Sequence, residues 1–410
     1  MKKLIALLLS FVMAFGMAGC GSETKEAEEK PANTQEKNWD AVLEDARGTE
    51  VNFYGWGGSQ LTNDWIDGYL AESLKEKYDI TLNRVSMDIE DILNKLQSEK
   101  QMDSEGTMDV VWINGENFYT AKTNELLYGS FTDKLPNFEK YIDAEDPETK
   151  FDFGFPIEGY EAPYGKAQLI MIKDDARMEG TLSGHEELLE YAKQNPGQFT
   201  YPAPPDFTGS AFVRNIIYDI VGYEQFMDMK ADKATVEAAI KPAIDYLKEL
   251  KPYLWREGET YPATIAQLDN MFTDSQVTMS MSYTPNIVAS KISTGEYPET
   301  ANSFVFEKGT IGNTHFVSIP FNAPNKDGAM AVIDYIMSPE AQASKYDPAN
   351  WGDLPVVDSA KMSDDEKALF DKVDIGKGVL AQDVLLERRV PEMPANLVPI
   401  IEEIWAENLL

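Results

Sequence analysis

Between residues 51 and 113 the chain alternates short apolar runs with amphipathic stretches, and this alternation restricts the fold more than any other feature. Val51-Asn52-Phe53-Tyr54 is β-prone and stops at the loop Gly55-Trp56-Gly57-Gly58-Ser59. Ile66, Tyr69, Leu70 and Leu74 then recur at helical spacing, with Thr62 or Asn63 as the expected cap. Ile80-Thr81-Leu82 to Val85 reads as a second strand, and Ile89, Ile92, Leu93 and Leu96 form a second helical stripe. Met108 to Ile113 is a nearly unbroken apolar strand, the pattern expected when both faces of a sheet are covered. Strand, helix, strand, helix, strand in about 65 residues is the start of a doubly wound α/β sheet. Ligands of such sheets gather outside the carboxyl ends of the strands, which points to the loops at 56–59 and 114–117.

A second α/β lobe is expected over 172–305. Gly165 to Ile172 reads as one apolar strand running into Lys173-Asp174-Asp175, and Glu186 to Lys193 as a helix. Phe199-Thr200-Tyr201-Pro202 predicts a short strand. Asp206-Phe207-Thr208-Gly209-Ser210 opens a long apolar helix carrying Ala211, Phe212, Ile216, Ile217 and Ile220. Lys233 to Tyr253 is helical, and Gln276 to Met281 is a strand leading to Ser282-Tyr283-Thr284. Extended runs then follow at 303–306 and 314–320, with helices at 325–337, 363–373 and 395–408. No solenoid repeat is present.

Composition limits the partners. The chain has 410 residues, 43% of them hydrophobic, enough for two lobes with cores. It carries 36 Lys+Arg against 70 Asp+Glu, a net charge of −34, so it has no basic face for nucleic acid, and anionic membrane surfaces repel it. A single cysteine excludes an internal disulfide, and two histidines argue against a multi-histidine metal site; no metal and no cofactor are expected. Gly-x-Ser-x-Gly, His-Glu-x-x-His and P-loop motifs are absent, so the sequence supports no catalytic residues and no enzyme. Acidic residues are too abundant for paired carboxylates to argue for glycoside hydrolysis.

The N-terminus points to a compartment. Lys2 and Lys3 precede an apolar run, Leu4 to Met17, that is too short to span a bilayer. Met17-Ala18-Gly19-Cys20 resembles a bacterial lipobox, with Met where Leu is usual. The resemblance implies a signal peptide over 1–19, cleavage before Cys20, and lipidation of Cys20. An ordinary secretory signal with an incidental cysteine is the alternative, and both place the protein outside the cytoplasm. Loss of Lys2 and Lys3 leaves 34 basic residues against 70 acidic ones, a mature charge of −36. The polar stretch after Cys20, within 20–45, reads as a flexible acidic linker.

Two further stretches carry a resemblance over nearly the whole chain. Ala162-Pro163-Tyr164-Gly165 through Met171-Ile172-Lys173-Asp174 is similar to the first crossover of the extracellular solute-binding lipoproteins of bacterial ABC importers. Ile319-Pro320-Phe321-Asn322-Ala323-Pro324-Asn325-Lys326, then Ala329 to Met337 and Ser338-Pro339-Glu340-Ala341-Gln342, is similar to their return segment. Within that family the chain resembles the YnjB-type group, which borders the thiamine-, iron- and polyamine-binding groups. The resemblance implies an α/β, two-lobed periplasmic-binding-protein-like fold (type II), with the ligand cleft between lobes joined by crossover hinges. Lobe 1 would comprise 46–170 and 308–345, lobe 2 171–307, and 346–410 would be C-terminal helices packing across both. It also implies a monomer that takes a small-molecule solute and passes it to an ABC permease and its ATPase, from the outer face of the cell membrane.

Candidate ligand contacts follow from both lines. Trp56, Gly57, Gly58 and Ser59 lie between a strand and a helix, where backbone N–H groups and the helix start can meet an acceptor. A plain β–α turn is the alternative there. Asn114 and Glu116 sit at the end of the third strand and can orient a solute. Asp206, Thr208, Gly209 and Ser210 repeat the helix-start arrangement in the second lobe, where Asp206 can equally be a simple cap. The family resemblance adds Tyr283 and Asn286. Trp112, Trp255, Tyr261 and His315 read as structural. The acidic field together with aromatic residues suits a thiamine-like or polyamine-like organic cation. Two helix starts facing a cleft would instead suit an oxyanion or organic anion. A tethered hydrolase and a sensory receptor are the other readings.

Overall fold

The computed structural model describes residues 38–410, so the expected signal peptide, Cys20 and most of the linker lie outside the described residues. Regular structure starts earlier than the linker reading placed it. Trp39–Ala46 is a helix capped by Asn38, whose side chain accepts from Ala41 N at 2.9 Å, and it buries Val42 and Ala46. Those two small apolar residues in an acidic segment are what turn the end of the presumed linker into packed structure.

The strands, in chain order, are β1 (Glu50–Gly55), β2 (Thr81–Ser86), β3 (Val110–Ile113), β4 (Phe151–Asp152), β5 (Phe155–Pro156), β6 (Glu161–Gln168), β7 (Ile170–Asp174), β8 (Met279–Ser282), β9 (Ala301–Phe304), β10 (Thr310–Ser318) and β11 (Arg389–Val390). They form two main sheets. The larger has the order β11-β10-β3-β1-β2, with β6 also on β10; the smaller has the order β8-β7-β9. β1 pairs parallel with β2 and with β3, so the opening of the chain is the expected doubly wound unit. The helix Ile89–Met102 falls where the apolar spacing predicts it, whereas the stretch 114–117, expected as a loop, opens the helix Gly115–Thr123 with Asn114 at its N-cap position. The first crossover helix starts at Gln60 rather than after Thr62. Ser59 is its cap, accepting from Thr62 N at 3.4 Å, which leaves Thr62 and Asn63 inside the helix and buried.

The apolar run 165–172 is not one strand. It divides at Leu169, with β6 antiparallel to β10 in the larger sheet and β7 antiparallel to β8 and β9 in the smaller. Continuous hydrophobicity hides this division because both halves are buried on both faces. The chain returns between β9 and β10. Phe199–Pro202 is not paired as a strand; Phe199 and Tyr201 instead bury their rings against Phe212 of the neighbouring helix, at 5.6 and 4.8 Å.

The return segment is held by side chains that its motif supplies. Buried Asp109 accepts from Asn52 N at 2.8 Å and from Asn325 N at 2.7 Å, and the Asn325 amide donates to Glu50 O at 2.9 Å. Gln342, fully buried, donates to Tyr164 O at 3.1 Å and accepts from Val356 N at 2.9 Å. The C-terminal residues divide between the two cores. Phe370 packs with the core of the larger sheet, while Ile401, Ile404 and Trp405 of the helix Val398–Leu409 join the core of the smaller one. Residues 38–410 are one compact unit carrying two α/β lobes. No helix among the described residues is long and apolar enough to cross a membrane.

Candidate functional site

Segments distant in sequence meet around Arg214. The helix Phe207–Val221 carries Ser210 and Arg214 four residues apart, so both project from one face. Arg214 is 1% exposed. Its Nε donates to Glu392 Oε1 at 2.9 Å and its Nη1 to Ser210 Oγ at 2.6 Å. Ser210 Oγ in turn donates to Glu402 Oε1 at 2.5 Å. The other oxygen of Glu392 accepts from Tyr283 OH at 2.9 Å and from the Asn313 amide at 3.2 Å. Aromatic rings seal the group: Phe153, between β4 and β5, lies 5.6 Å from the guanidinium and 6.1 Å from Phe207, which stands 5.2 Å from Tyr283.

Two polar atoms here are buried without a partner, Arg214 Nη2 and Glu116 Oε2. Glu116 opens the helix after β3, and its Oε1 accepts from the Asn117 amide at 3.0 Å. Burial pushes the Glu116 carboxyl up to about 7, against the pull of Arg214 and with a further push from Glu402 and Glu392. Burial also raises Glu402, against Ser210 and Arg214. For Arg214 burial works against the charge, yet Glu392, with Tyr283, Glu116 and Glu402, outweighs it and holds the guanidinium protonated. One cation thus faces three carboxyl groups. Behind them lies Asp152, which accepts from Gly115 N through one oxygen, leaves the other unpartnered, and is raised well above the carboxylate range by burial.

The residues singled out from sequence divide. Glu116, Ser210 and Tyr283 stand in the cluster. Asp206 caps its helix: one oxygen accepts from Gly209 N and the other from Ile265 N, each at 2.9 Å. Thr208 is buried beside it. Gly209 is required by packing, since a Cβ there would overlap Pro202 O. Asn114 Oδ1 accepts from Phe316 N at 2.8 Å and so ties β3 to β10. Gly57 lies against Ser86, and Gly58 lies under the ring of Trp56, which is 44% exposed. Ser59 is a cap. Asn286 is buried with its amide nitrogen unpartnered, against the loop at Gly352.

Sequence reasoning missed Arg214, Glu392, Glu402, Asn313 and Phe153. Arg214 carried a signal, as the only charged residue between Ala211 and Tyr218 of an apolar helix. Glu392 lies in Pro391-Glu392-Met393-Pro394, a stiff stretch with no helical or strand period to place it. His315 is structural, as expected. It shares Asp353 Oδ2 with Lys345, at 2.8 Å from the imidazole, and stacks on Trp351 near Trp112 and Tyr164. No group of three or more His, Cys, Asp or Glu among the described residues could hold a metal ion.

Comparison with known proteins agrees with this architecture. Residues 69–370 match the family model described as bacterial extracellular solute-binding protein. Protein YnjB of Escherichia coli (strain K12) is 36% identical over 337 residues, covering 82% of this chain and 86% of YnjB. Among solved structures, an ABC transporter protein from Clostridium perfringens ATCC 13124 superposes with a TM-score of 0.60 at 17% identity, covering 88% of this chain and 98% of the other. The spermidine/putrescine ABC transporter substrate-binding protein PotD from Streptococcus pneumoniae gives 0.59 at 15% identity, over 88% and 98% of the two chains. Proteins of this kind bind small solutes and work with a permease and an ATPase rather than catalysing a reaction. The chain belongs to the bacterial extracellular solute-binding proteins of ABC transporters.

Proposed function

We propose that this protein is the monomeric receptor of an importer for a small organic cation, thiamine-like or polyamine-like, enclosed between its lobes. The observation that carries this reading is the charge imbalance around Arg214: one guanidinium against Glu392, Glu402 and Glu116, with the Glu116 oxygen buried and unpartnered. A cation brought there restores ionisation of Glu116 and gives that oxygen a partner. The negative field of the whole chain draws cations toward it, screened by physiological salt beyond about 8 Å. Lobe 1 (46–170 with 308–345) supplies Glu116, and lobe 2 (171–307) supplies Ser210, Arg214 and Tyr283. A solute that touches both is bound best when the lobes are closed, so binding shifts the population toward the closed form that the permease recognises. Cys20, lipidated, would hold the receptor on the outer face of the membrane. The unpartnered Arg214 Nη2 supports a second reading, an oxyanion or organic anion.

A thermal-shift panel of thiamine and its phosphates, polyamines, choline-like cations, oxyanions, amino acids and short sugars tests this. A ligand at a hundred times its Kd stabilises by about 2.7 kcal/mol. One cationic class should shift the midpoint in the parent protein and fail to do so in Glu116→Gln. A shift by anions alone, unaffected by Glu116→Gln, would overturn the cation reading in favour of the second one. Cys20→Ala, followed by membrane fractionation, should release the protein if the anchor is real.

A further inference from the structure

We propose that the solute is two-headed: one end is an ammonium-type cation seated on Glu116, and the other is an oxyanion taking the free donor of Arg214. This rests on the receptor reading above and narrows it. The reasoning starts from which bonds are already made. Glu392 is saturated: it accepts from Arg214 Nε, Tyr283 OH and the Asn313 amide, and also from Met393 N at 3.2 Å. It serves to fix and charge-balance the guanidinium, with nothing left for a solute. Arg214 Nη1 gives one of its N–H groups to Ser210. What remains unpartnered is Nη2 of a fully buried cation, with its two N–H groups, and Oε2 of the Glu116 carboxyl group, on opposite lobes and both shut away from water.

A solute with a cation alone satisfies Glu116 and leaves Arg214 Nη2 bare in a dry site, where an unmet charged donor is costly. A solute with an anion alone satisfies Arg214 but is enclosed with Glu116, Glu402 and Glu392, three carboxyl groups against one guanidinium. Only a molecule that carries both groups leaves no member of the cluster unpaired. An oxyanion fits the Arg214 end better than a hydroxyl does, because a bond between two charged partners is about twice as strong as a neutral one. Aromatic rings enclose the cluster, and Phe153 packs against both Gly115, next to Glu116, and the Arg214 guanidinium. Neither half of the recognition works without lobe closure, since Glu116 and Arg214 come from different lobes.

The test is calorimetric titration of the protein with matched sets: γ-aminobutyrate against butylamine and butyrate, and phosphocholine against choline and inorganic phosphate. At least one two-headed compound should bind about 30-fold or more tightly than either of its halves. Glu116→Gln should weaken the two-headed compound and should not weaken the anionic half, which loses a carboxyl neighbour. Arg214→Lys should erase the preference for the two-headed compound over the cationic half. Should Arg214→Lys fail to fold, the parent protein and Glu116→Gln decide the matter without it. A cationic half that binds as tightly as its two-headed partner overturns the proposal and leaves the receptor reading standing. Failure of every two-headed probe overturns it too, while the broader panel still judges the receptor reading on its own.

Discussion

The helix starts at Ser59 and at Asp206 are built alike and stand in different electrostatic surroundings. Each has a polar cap, and each has glycine within three residues of the cap. At both, the glycines answer to packing: Gly58 to the Trp56 ring, and Gly209 to Pro202 O. The difference lies one turn further on. After Ser59 the chain turns Trp65, Ile66 and Leu70 into the core, and the one charge at the helix start is its own Asp64, which accepts from the Gln60 amide at 2.6 Å on the exposed side. After Asp206 the helix brings Ser210 and Arg214 against Glu392 and Glu402, which arrive from the far end of the chain. A helix start acquires chemistry from what other segments bring to it, and glycine with a cap does not confer it.

The sharpest way to break this contrast is to remove the charge at its centre. Arg214→Met keeps an unbranched apolar stem but removes the guanidinium and leaves Glu392 buried with only Tyr283, Asn313 and Met393 N as partners. Breaking a buried pair from one side costs about 3–5 kcal/mol. Chemical denaturation should therefore show a large drop in midpoint at neutral pH, together with loss of solute binding. A drop of less than 1 kcal/mol would mean that Glu392 has turned out to solvent and that the cluster is not a fixed framework.

How far this was legible in sequence follows from the kind of signal each residue carries. The parallel unit of β1, β2 and β3 was readable because its strands and helices repeat at different periods within one stretch. Glu116, Ser210 and Tyr283 were reachable because they lie at the ends of strands or the start of a helix. Arg214 was visible only as a charge out of place on an apolar helix. Glu392 and Glu402 could not be read, since 70 acidic residues hide two, and their role exists only once the C-terminal helix packs on the smaller sheet's core. The division of 165–172 at Leu169 was invisible for another reason: strands buried on both faces give no alternation to mark where one sheet ends.

A smaller effect concerns Glu116 and its dependence on pH. Its carboxyl stands at about 7 in the folded protein, against an ordinary 4.5. Between those values the folded state holds a proton that the unfolded chain has released, so stability falls as pH rises through that window and levels off above it. Arg214 from its helix, Glu402 and Glu392 from the C-terminal segment and Asp152 from β4 all act on this group or beside it. Asp152 and Glu402 are raised as well, so the parent protein declines for several reasons at once. The difference between Glu116→Gln and the parent isolates one of them. Melting curves from pH 4 to pH 8 should show the variant losing about 2–3 kcal/mol less than the parent. Parallel curves would place Glu116 in water and remove it from the cluster.

The smallest expected effect belongs to the other helix start. Ser59→Ala removes an acceptor that holds Thr62 N at 3.4 Å, a long bond at a half-buried position. Loss of such a cap costs about 1 kcal/mol or less. No ionisable partner is attached to Ser59, so the cost should be the same at pH 5 and at pH 8, and affinity for any solute should hold. The comparison turns on that flatness. If Ser59 met the solute, as its place at a strand end suggested, Ser59→Ala would lower affinity while barely moving the melting point of the empty protein. A selective loss of binding would place a ligand contact at both helix starts. An unchanged affinity alongside a small, pH-independent loss of stability would confine recognition to the start that has charges brought to it.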